Sequence, residues 1–380
     1  MRGVAGYNAA LIGRSGGRAR LETPALIVDA DVMEASIARL AALAERAGMG
    51  LRPHAKSHKS VEIARRQLAA GALGIACAKT GELLALHAGG IDRLMLTAPV
   101  SHPGKIRRLA EAARTAEIIV VADREDLIDG FGAAAVAAGT RLEVLVDCDT
   151  GLGRTGVTDP GMAVSLARRI TQTEGLIYAG VQAYNGKVQH IFDHRERRLA
   201  NEATNARLVP MIEALRAEGL APRIISGGGT GSHALDFEVG LLTEVQAGSY
   251  VFMDEGYLPT DLDGSGELVF PAALFVAVGV IAMSPAGEAI TDAGSKSFAL
   301  DGPLPTVFHQ GRRIGRMEWA GDEFGRVKTD PGVPAPPIGA VLECTVPHCD
   351  PTVNLHDFLH VVHGSVLEAI WPVEGRGLSD

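Results

Sequence analysis

The sequence predicts an α/β protein, a (β/α)8 barrel followed by a C-terminal β-rich domain. Three observations lead there. From about residue 24 to 255, short apolar runs alternate with longer amphipathic stretches rich in Ala, Leu, Glu and Arg. That is the pattern of βα units around a parallel sheet. Eight such units in about 210 residues come close to the ~250 residues typical of a closed barrel. Beyond residue 260, apolar runs are separated by Pro- and Gly-rich turns and amphipathic stretches become scarce. A doubly wound open sheet is the competing architecture. The barrel is preferred because reactive side chains follow many different strands, and a barrel brings all those strand ends to one face.

Residues 1–23 read as a loose N-terminal arm of a cytoplasmic protein. They contain Arg residues but lack the continuous apolar core of ~7–15 residues of a secretory signal; a short targeting peptide is the alternative. The run "ALIVDA" (25–30) either opens the barrel segment, 24–258, or joins the β domain, 259–380. Eight candidate strands follow: "GLRPHA" (50–55), "LGIACA" (73–78), "RLMLTAP" (93–99), "EIIVVA" (117–122), "LEVLVDCD" (142–149), "LIYAGVQAY" (176–184), "RIISGG" (223–228) and "TEVQAGSYVF" (243–252). Helical stretches separate most of them. "SVEIARRQLAAG", for example, has apolar positions at helical spacing and stops at Gly71. In the last segment, runs such as "LVFPAALFVAVGVIAM" and "FLHVVHGSVLEAIWPV" read as strands, and "DPGVPAPPIGA" (330–340) as a stiff loop.

The net charge of −9, from 36 basic and 45 acidic residues, argues against nucleic acid as a partner. No apolar run reaches the ~18 residues of a membrane span. The four cysteines, Cys77, Cys148, Cys344 and Cys349, form no CxxC pair and read as buried reduced thiols.

Candidate chemistry begins with "RPHAKSHK" (52–59). Strand alternation would put Arg52, His54 and Lys56 on one side, with Lys56 at the C-terminal end. Neighbouring cations would lower the Lys56 pKa and keep a nucleophilic neutral amine. A solvated basic strand end is the plain alternative. "SGGGTGS" (226–232) and "QAGSY" (246–250) follow or end the last two strands, where barrels often hold phosphate on backbone N–H groups and hydroxyls. A lysine opposite a phosphate cradle suggests pyridoxal phosphate, although spacing alone does not name a cofactor. Arg154, in "GLGRTGV", could reach inward or lie on the surface. Tyr184 and His190, in "QAYNGKVQH", could pack against a ring and act as a base, or be structural. In "VPHCDPTVNLHD" (346–357), an extended Val346–Asp350 would point His348 and Asp350 the same way and Cys349 oppositely. Imidazole plus carboxylate is half of a divalent-metal site; a His–Asp hydrogen bond or an Asx turn would use the same residues.

Together these motifs, with "QAGSYVFMD" and "DAGSKS", resemble the family of D-threonine aldolase, 3-hydroxy-D-aspartate aldolase and D-serine dehydratase, over roughly residues 22–376. These are pyridoxal 5'-phosphate enzymes on an alanine-racemase-like barrel with a C-terminal β domain. The resemblance implies that Lys56 carries the cofactor covalently. It implies phosphate-side contacts from Thr230, Gly248, Ser249 and Tyr250, and ring contacts from Arg154 and Tyr184. His348 and Asp350 become ligands of a divalent metal, Mn²⁺ or Mg²⁺ ahead of Zn²⁺, and His190 a candidate base. Dehydratases of the family tend to show His-x-Cys at the metal and aldolases His-x-Asp. The string His348-Cys349-Asp350 therefore implies an aldolase that splits β-hydroxy-D-amino acids into glycine and an aldehyde. The implied partner set is a small-molecule substrate and a second copy in a homodimer. A dehydratase giving a keto acid and ammonia is the alternative, followed by a noncatalytic pyridoxal-phosphate binder. The chain departs from the family pattern at Ala78, Asn185, Ser295 and Phe324.

Overall fold

The computed structural model of the chain describes residues 3–380, so the first two residues of the arm lie outside it. The arm contains helix α1 (Val4–Asn8) and leads into β1 (Ala25–Asp29) and α2 (Ala30–Arg46). The barrel then runs β2 (Gly50–Leu51), α3 (Val61–Ala69), β3 (Ile75–Cys77), α4 (Thr80–Ala88), β4 (Arg93–Leu96), α5 (Pro103–Ala112), β5 (Glu117–Ala122), α6 (Glu125–Ala138) and β6 (Leu142–Asp147). It continues through α7 (Pro160–Gln172), β7 (Leu176–Ala183), α8 (Gly186–Gln189), α9 (His194–Ala217), β8 (Ile224–Gly227), α10 (His233–Val239) and β9 (Glu244–Val245). Helices start where side chains can satisfy free N–H groups. Asp29 accepts from Val32 N (3.3 Å), Asp159 from Met162 N (2.8 Å) and Asp193 from Glu196 N (2.8 Å).

All eight barrel strands are parallel, in the order β2-β9-β8-β7-β6-β5-β4-β3. The two ends of the series meet at a bridge between His54 and Ala76. The short β2 has a local cause: Pro53 has no N–H to give. The chain stays beside β9 through Arg52 N and His54 N, each 3.0 Å from its acceptor, and then tightens into a 3-10 turn at Ala55–Ser57.

Period-two alternation sorts strand side chains into two cores. Ile118, Val120, Val144 and Val146 face the surrounding helices. Met95, Ile119, Val121, Leu145, Ala179 and Ile224 fill the lumen. One pleat further along the strands the lumen turns polar: Thr97 follows Met95, Asp147 follows Leu145 and Ser226 follows Ile224. Arg52 and Glu244 join this upper layer as a buried bidentate pair (2.7 and 3.0 Å). Removing one partner of such a pair typically costs about 3–5 kcal/mol, so the pair is a rigid floor for whatever sits above it.

The C-terminal part contains β10 (Leu274–Met283), β11 (Ala289–Thr291), β12 (Thr306–His309), β13 (Arg312–Trp319), β14 (Gly325–Thr329), β15 (Val341–Thr345), α11 (Cys349–Val353), β16 (Phe358–His363) and β17 (Val366–Pro372). Its sheet has the order β11-β14-β13-β12-β15-β10-β1-β16-β17, curled by a further β10–β11 pairing. The "ALIVDA" run thus pairs antiparallel with β10 and parallel with β16, outside the barrel sheet. Arg18 of the arm holds this arrangement through Asp29 (2.7 Å) and Glu343 (2.6 Å). Among the described residues, no helix is long and apolar enough to cross a membrane. All four cysteines are buried free thiols.

Candidate active site

The barrel's C-terminal mouth opens into a cavity of about 330 Å³. Its walls include Lys56, His54, Arg154, Tyr184, Gln182 and Gln246, with Lys79 and Ala78 also at the mouth. Four of the residues singled out in the sequence therefore share one space: His54 and Lys56 from the segment after β2, Arg154 from the loop after β6, and Tyr184 from the end of β7. The Arg154 guanidinium lies 5.7 Å from the Tyr184 ring centre.

The cationic run behaves differently from the sequence expectation. Arg52 is committed to Glu244. Burial foremost, and then the charge on Lys56, pushes His54 down to about 3; burial pushes His58 down to about 4. Lys59 gives its ammonium to Asn354 Oδ1 (3.0 Å) and Gly375 O (3.4 Å). Lys56 instead forms an ion pair with Asp350 of the β domain. Burial works against the Lys56 ammonium, but Asp350 outweighs it and holds the amine above its ordinary range. Asp350 is correspondingly held low against the effect of its own burial. The crowding therefore does not leave a neutral amine here, because most neighbouring charge in the run is paired or absent and a carboxylate faces the Lys56 ammonium.

Asp350 arrives on α11, and His348 is that helix's N-cap residue, in extended conformation. The segment thus turns helical at Cys349, and the strand alternation expected for Val346–Asp350 does not hold. The Cys349 thiol lies 3.3 Å from Asp350 Oδ1 rather than pointing away. Its N–H goes to buried Asp254 Oδ2 (2.9 Å), which pins the loop to the barrel's last turn. His348 Nδ1 bonds Asp301 Oδ2 (2.8 Å), and among the described residues its Nε2 has no partner. His190 follows α8, with its ring 4.3 Å from that of Tyr257. Burial lowers its pKa, against the opposing pull of Asp254. Among the described residues, no three His, Cys, Asp or Glu side chains form a ready metal cage.

The glycine-rich segments lie against each other. A side chain at Gly231 would run into Gln189 O at 2.0 Å, and one at Gly248 into Ser57 Oγ at 2.6 Å. Not every N–H there is free: Gly229 N goes to Ser232 Oγ (3.1 Å) and Gly231 N to Gln189 Oε1 (2.9 Å). Thr230 Oγ1 accepts from Tyr250 N (3.1 Å), which leaves the hydroxyl hydrogen to give. Among the described residues, the N–H groups of Gly248 and Ser249 bond to nothing. Thr230, Gly248 and Ser249 therefore retain donors for an anion. Tyr250 supports them from behind, since its hydroxyl takes the Gln67 amide (3.1 Å).

Of the departures from the family pattern, only Ala78 lines the cavity. Asn185 caps α8 through Lys187 N and reaches Thr204, Ser295 bonds Asp322, and Phe324 is exposed. Sequence reasoning placed His54 beside Lys56, as found, but missed Gln182, Gln246, Asp254 and Asp301. Gln182 and Gln246 carried a readable signal, an amide inside an otherwise apolar strand pattern. Asp301 carried none, being far from His348 along the chain.

A parallel barrel with a lysine at its mouth, faced by a loop of a β domain, is the build of alanine-racemase-like enzymes. Comparison with known proteins agrees: the family described as "Alanine racemase, N-terminal domain" matches residues 28–256, and "Putative serine dehydratase domain" matches 273–362. The chain is 40% identical to a D-threonine aldolase of Arthrobacter sp over 95% of its length and 94% of the relative's. It is 36% identical to a 3-hydroxy-D-aspartate aldolase of Paracoccus denitrificans, over 94% and 92% of the two chains. The crystal structure of D-threonine aldolase from Filomicrobium marinum superposes with a TM-score of 0.91 at 36% identity, covering 95% of this chain and 97% of that one. The chain belongs to the family of D-threonine aldolase and 3-hydroxy-D-aspartate aldolase.

Proposed function

We propose that this protein is a carbon–carbon lyase of the aldehyde-lyase type, cleaving β-hydroxy-D-amino acids such as D-threonine to glycine and an aldehyde. The observation that carries the reading is the meeting of Lys56, at the barrel mouth, with Asp350, from the β domain. Pyridoxal phosphate fits the residues present. Lys56 would hold it covalently, Thr230, Gly248 and Ser249 have donors left for its phosphate, and Arg154 and Tyr184 stand on the same wall. A divalent cation fits as well, because the Lys56 ammonium already stands in for one at Asp350. His348 and Asp350 would hold it. Asp301 would orient His348 from behind, in the manner of carboxylates that support metal-binding histidines.

When bound, pyridoxal phosphate supplies the sink for the electron pair left at Cα, and the cation supplies a Lewis acid for the β-hydroxyl. His190 is the residue fitted to take the hydroxyl proton. Its lowered pKa keeps the imidazole neutral, and so able to accept, at neutral pH. As that proton leaves, the carbon–oxygen bond becomes the aldehyde carbonyl and the Cα–Cβ bond breaks. A proton delivered to Cα completes glycine. Arg154 and Lys79 keep the mouth positive for anionic groups of cofactor and substrate.

One observation favours a second reading: the β-domain match carries a serine dehydratase's name. A dehydratase would take the Cα proton and expel the hydroxyl, giving a keto acid and ammonia. The test is a panel of D-threonine, D-phenylserine, D-serine and 3-hydroxy-D-aspartate, assayed for aldehyde and for ammonia with and without Mn²⁺. Aldehyde and glycine in equal amounts are expected; ammonia without aldehyde would replace the lyase reading by the dehydratase.

Asp301→Ala is expected to weaken Mn²⁺ binding about 10–100-fold. A titration followed by electron spin resonance measures this. Unchanged affinity would remove His348, held by Asp301, from the ligand set. A homodimer and a cytoplasmic location complete the proposal. The family resemblance supports the first and the four free thiols support the second; light scattering tests the dimer.

A further inference from the structure

Helix α8, Gly186–Gln189, is a single turn, too short to hold its own place, so tertiary contacts set the position of His190 at its end. Those contacts run through Gln189. Gly231 N is a donor only and lies 2.9 Å from Gln189 Oε1; Asn185 O is an acceptor only and lies 3.4 Å from Gln189 Nε2. These two partners fix the orientation of the amide. Its Nε2 also gives a hydrogen to Ser232 Oγ (3.0 Å). Ser232 Oγ accepts from Gly229 N as well (3.1 Å), so its own hydrogen goes to Asp236 Oδ2 (2.6 Å). Asp236 Oδ1 in turn takes Asn201 Nδ2 (2.8 Å), and Asn201 Oδ1 takes Asn205 Nδ2 (2.7 Å). Gln189, Ser232, Asp236 and Asn201 are at most 5% exposed, so water does not compete for these bonds.

The network joins segments that the barrel brings from different strands. Gly229 and Gly231 belong to the loop after β8 that keeps donors for an anion; Gln189 precedes His190 after β7. The main chains are as close as the side chains. A Cβ on Gly231 would meet Gln189 O at 2.0 Å, and one on Gly229 would meet Gln189 Oε1 at 2.5 Å. Beyond His190, buried Arg197 grips Ile191 O (2.5 Å) and Phe192 O (3.3 Å). Among the described residues the His190 ring itself makes no hydrogen bond. Its backbone and the Tyr257 ring, 4.3 Å away, give it its place.

We propose that Gln189 is a positioning residue whose amide fastens the phosphate loop to the turn carrying His190, so that one side chain sets both the anion cradle and the place of the base. This rests on the cofactor and the base assigned above and adds the link between them. A base acts within about 2.6–3.2 Å of the proton it takes, and a misplacement of about 1 Å can cost roughly a hundredfold. A single helical turn does not hold that tolerance unaided. An amide suits the task because it gives and accepts at once. A carboxylate there would face Asp236 across Ser232, and an apolar chain would leave the buried Gly231 N–H without its partner.

The test is proton and carbon-13 magnetic resonance of the full chain, labelled in histidine and free of cofactor. The ring current of Tyr257 displaces the carbon-bound protons of His190, so their shift reports where the ring stands; His190→Gln identifies the signal. The wild type is expected to show a displaced signal. Gln189→Met, of equal length but without polar ends, is expected to return it toward the value of free histidine. The same variant is expected to bind inorganic phosphate, followed by phosphorus-31 resonance, roughly fivefold or more weakly. In the holoenzyme it is expected to lose turnover by roughly 10–100-fold. The acidic limb of its pH profile should move up, because burial lowers the His190 pKa and a displaced ring loses that burial. An unmoved His190 signal in Gln189→Met overturns the proposal, as does an unchanged phosphate affinity. Should the methionine variant not fold, Ser232→Ala, which removes one bond to the amide, decides by the same two readings. A wild type that binds no phosphate removes the cradle, and normal turnover in His190→Gln removes the base, each taking this proposal with it. Phosphate bound and base required, with Gln189→Met unchanged, removes the Gln189 role alone.

Discussion

Lys56→Ala is expected to lose both the visible absorbance of the lysine-linked cofactor and turnover, the latter by roughly a thousandfold or more. Alanine removes the amine and also leaves Asp350 without its counter-charge, so a second variant separates chemistry from charge. Lys56→Arg keeps a cation opposite Asp350 but cannot join an aldehyde. It is expected to fold like the wild type, by circular dichroism and thermal melting, and to be equally inactive. Near-normal turnover of either variant would remove Lys56 from the chemistry and the pyridoxal assignment with it.

Asp350→Ala is expected to abolish the response of activity to Mn²⁺ and to cut turnover by a factor of roughly a hundred or more. The reasoning runs through the ion pair. In the cofactor-free chain the Lys56 ammonium neutralises Asp350. A metal ion must displace it, leaving a charged lysine beside a dication. Once Lys56 is joined to pyridoxal phosphate that competitor is weakened, and a buried carboxylate is left seeking a cation. Cofactor and metal should therefore bind with positive coupling, about 5–150-fold in affinity. Calorimetric titration of Mn²⁺ into the cofactor-free and loaded protein measures it. Equal affinities would show that the Lys56–Asp350 contact does not govern metal entry, and full activity after chelation would take the metal out of the reaction.

The barrel was legible because each strand–helix unit announces itself locally: Glu117–Ala122 and Leu142–Asp147 are apolar β-branched runs bounded by turn residues. The two strands that frame the site were read in place, at 50–55 and 243–252, but longer than they are. Both β2 and β9 are two residues long, and although Arg52 N and His54 N still bond across to the β9 segment, the chain then tightens into the turn at Ala55–Ser57, so alternation does not extend to Lys56. Lys56 reaches the mouth from a turn instead. The charge reading failed for a related reason. Whether five basic groups add up depends on burial and on partners such as Glu244, 192 residues away in the chain, and no local pattern encodes that distance. His348 and Asp350 were visible as a pair, but Asp301, 47 residues upstream, meets His348 only through the folding of the β domain.

The position of β1 has a consequence for how the protein is made. This strand, near the start of the chain, lies between β10 and β16, which are translated some 250 and 330 residues later. The barrel is thus an insertion within the β unit. During vectorial synthesis its eight strands can close on the ribosome, whereas Ala25–Asp29 must wait as an unpaired apolar ribbon for nearly the whole polypeptide to emerge. Severing the chain between the two halves would rob the C-terminal piece of an interior strand and expose the edges of its neighbours.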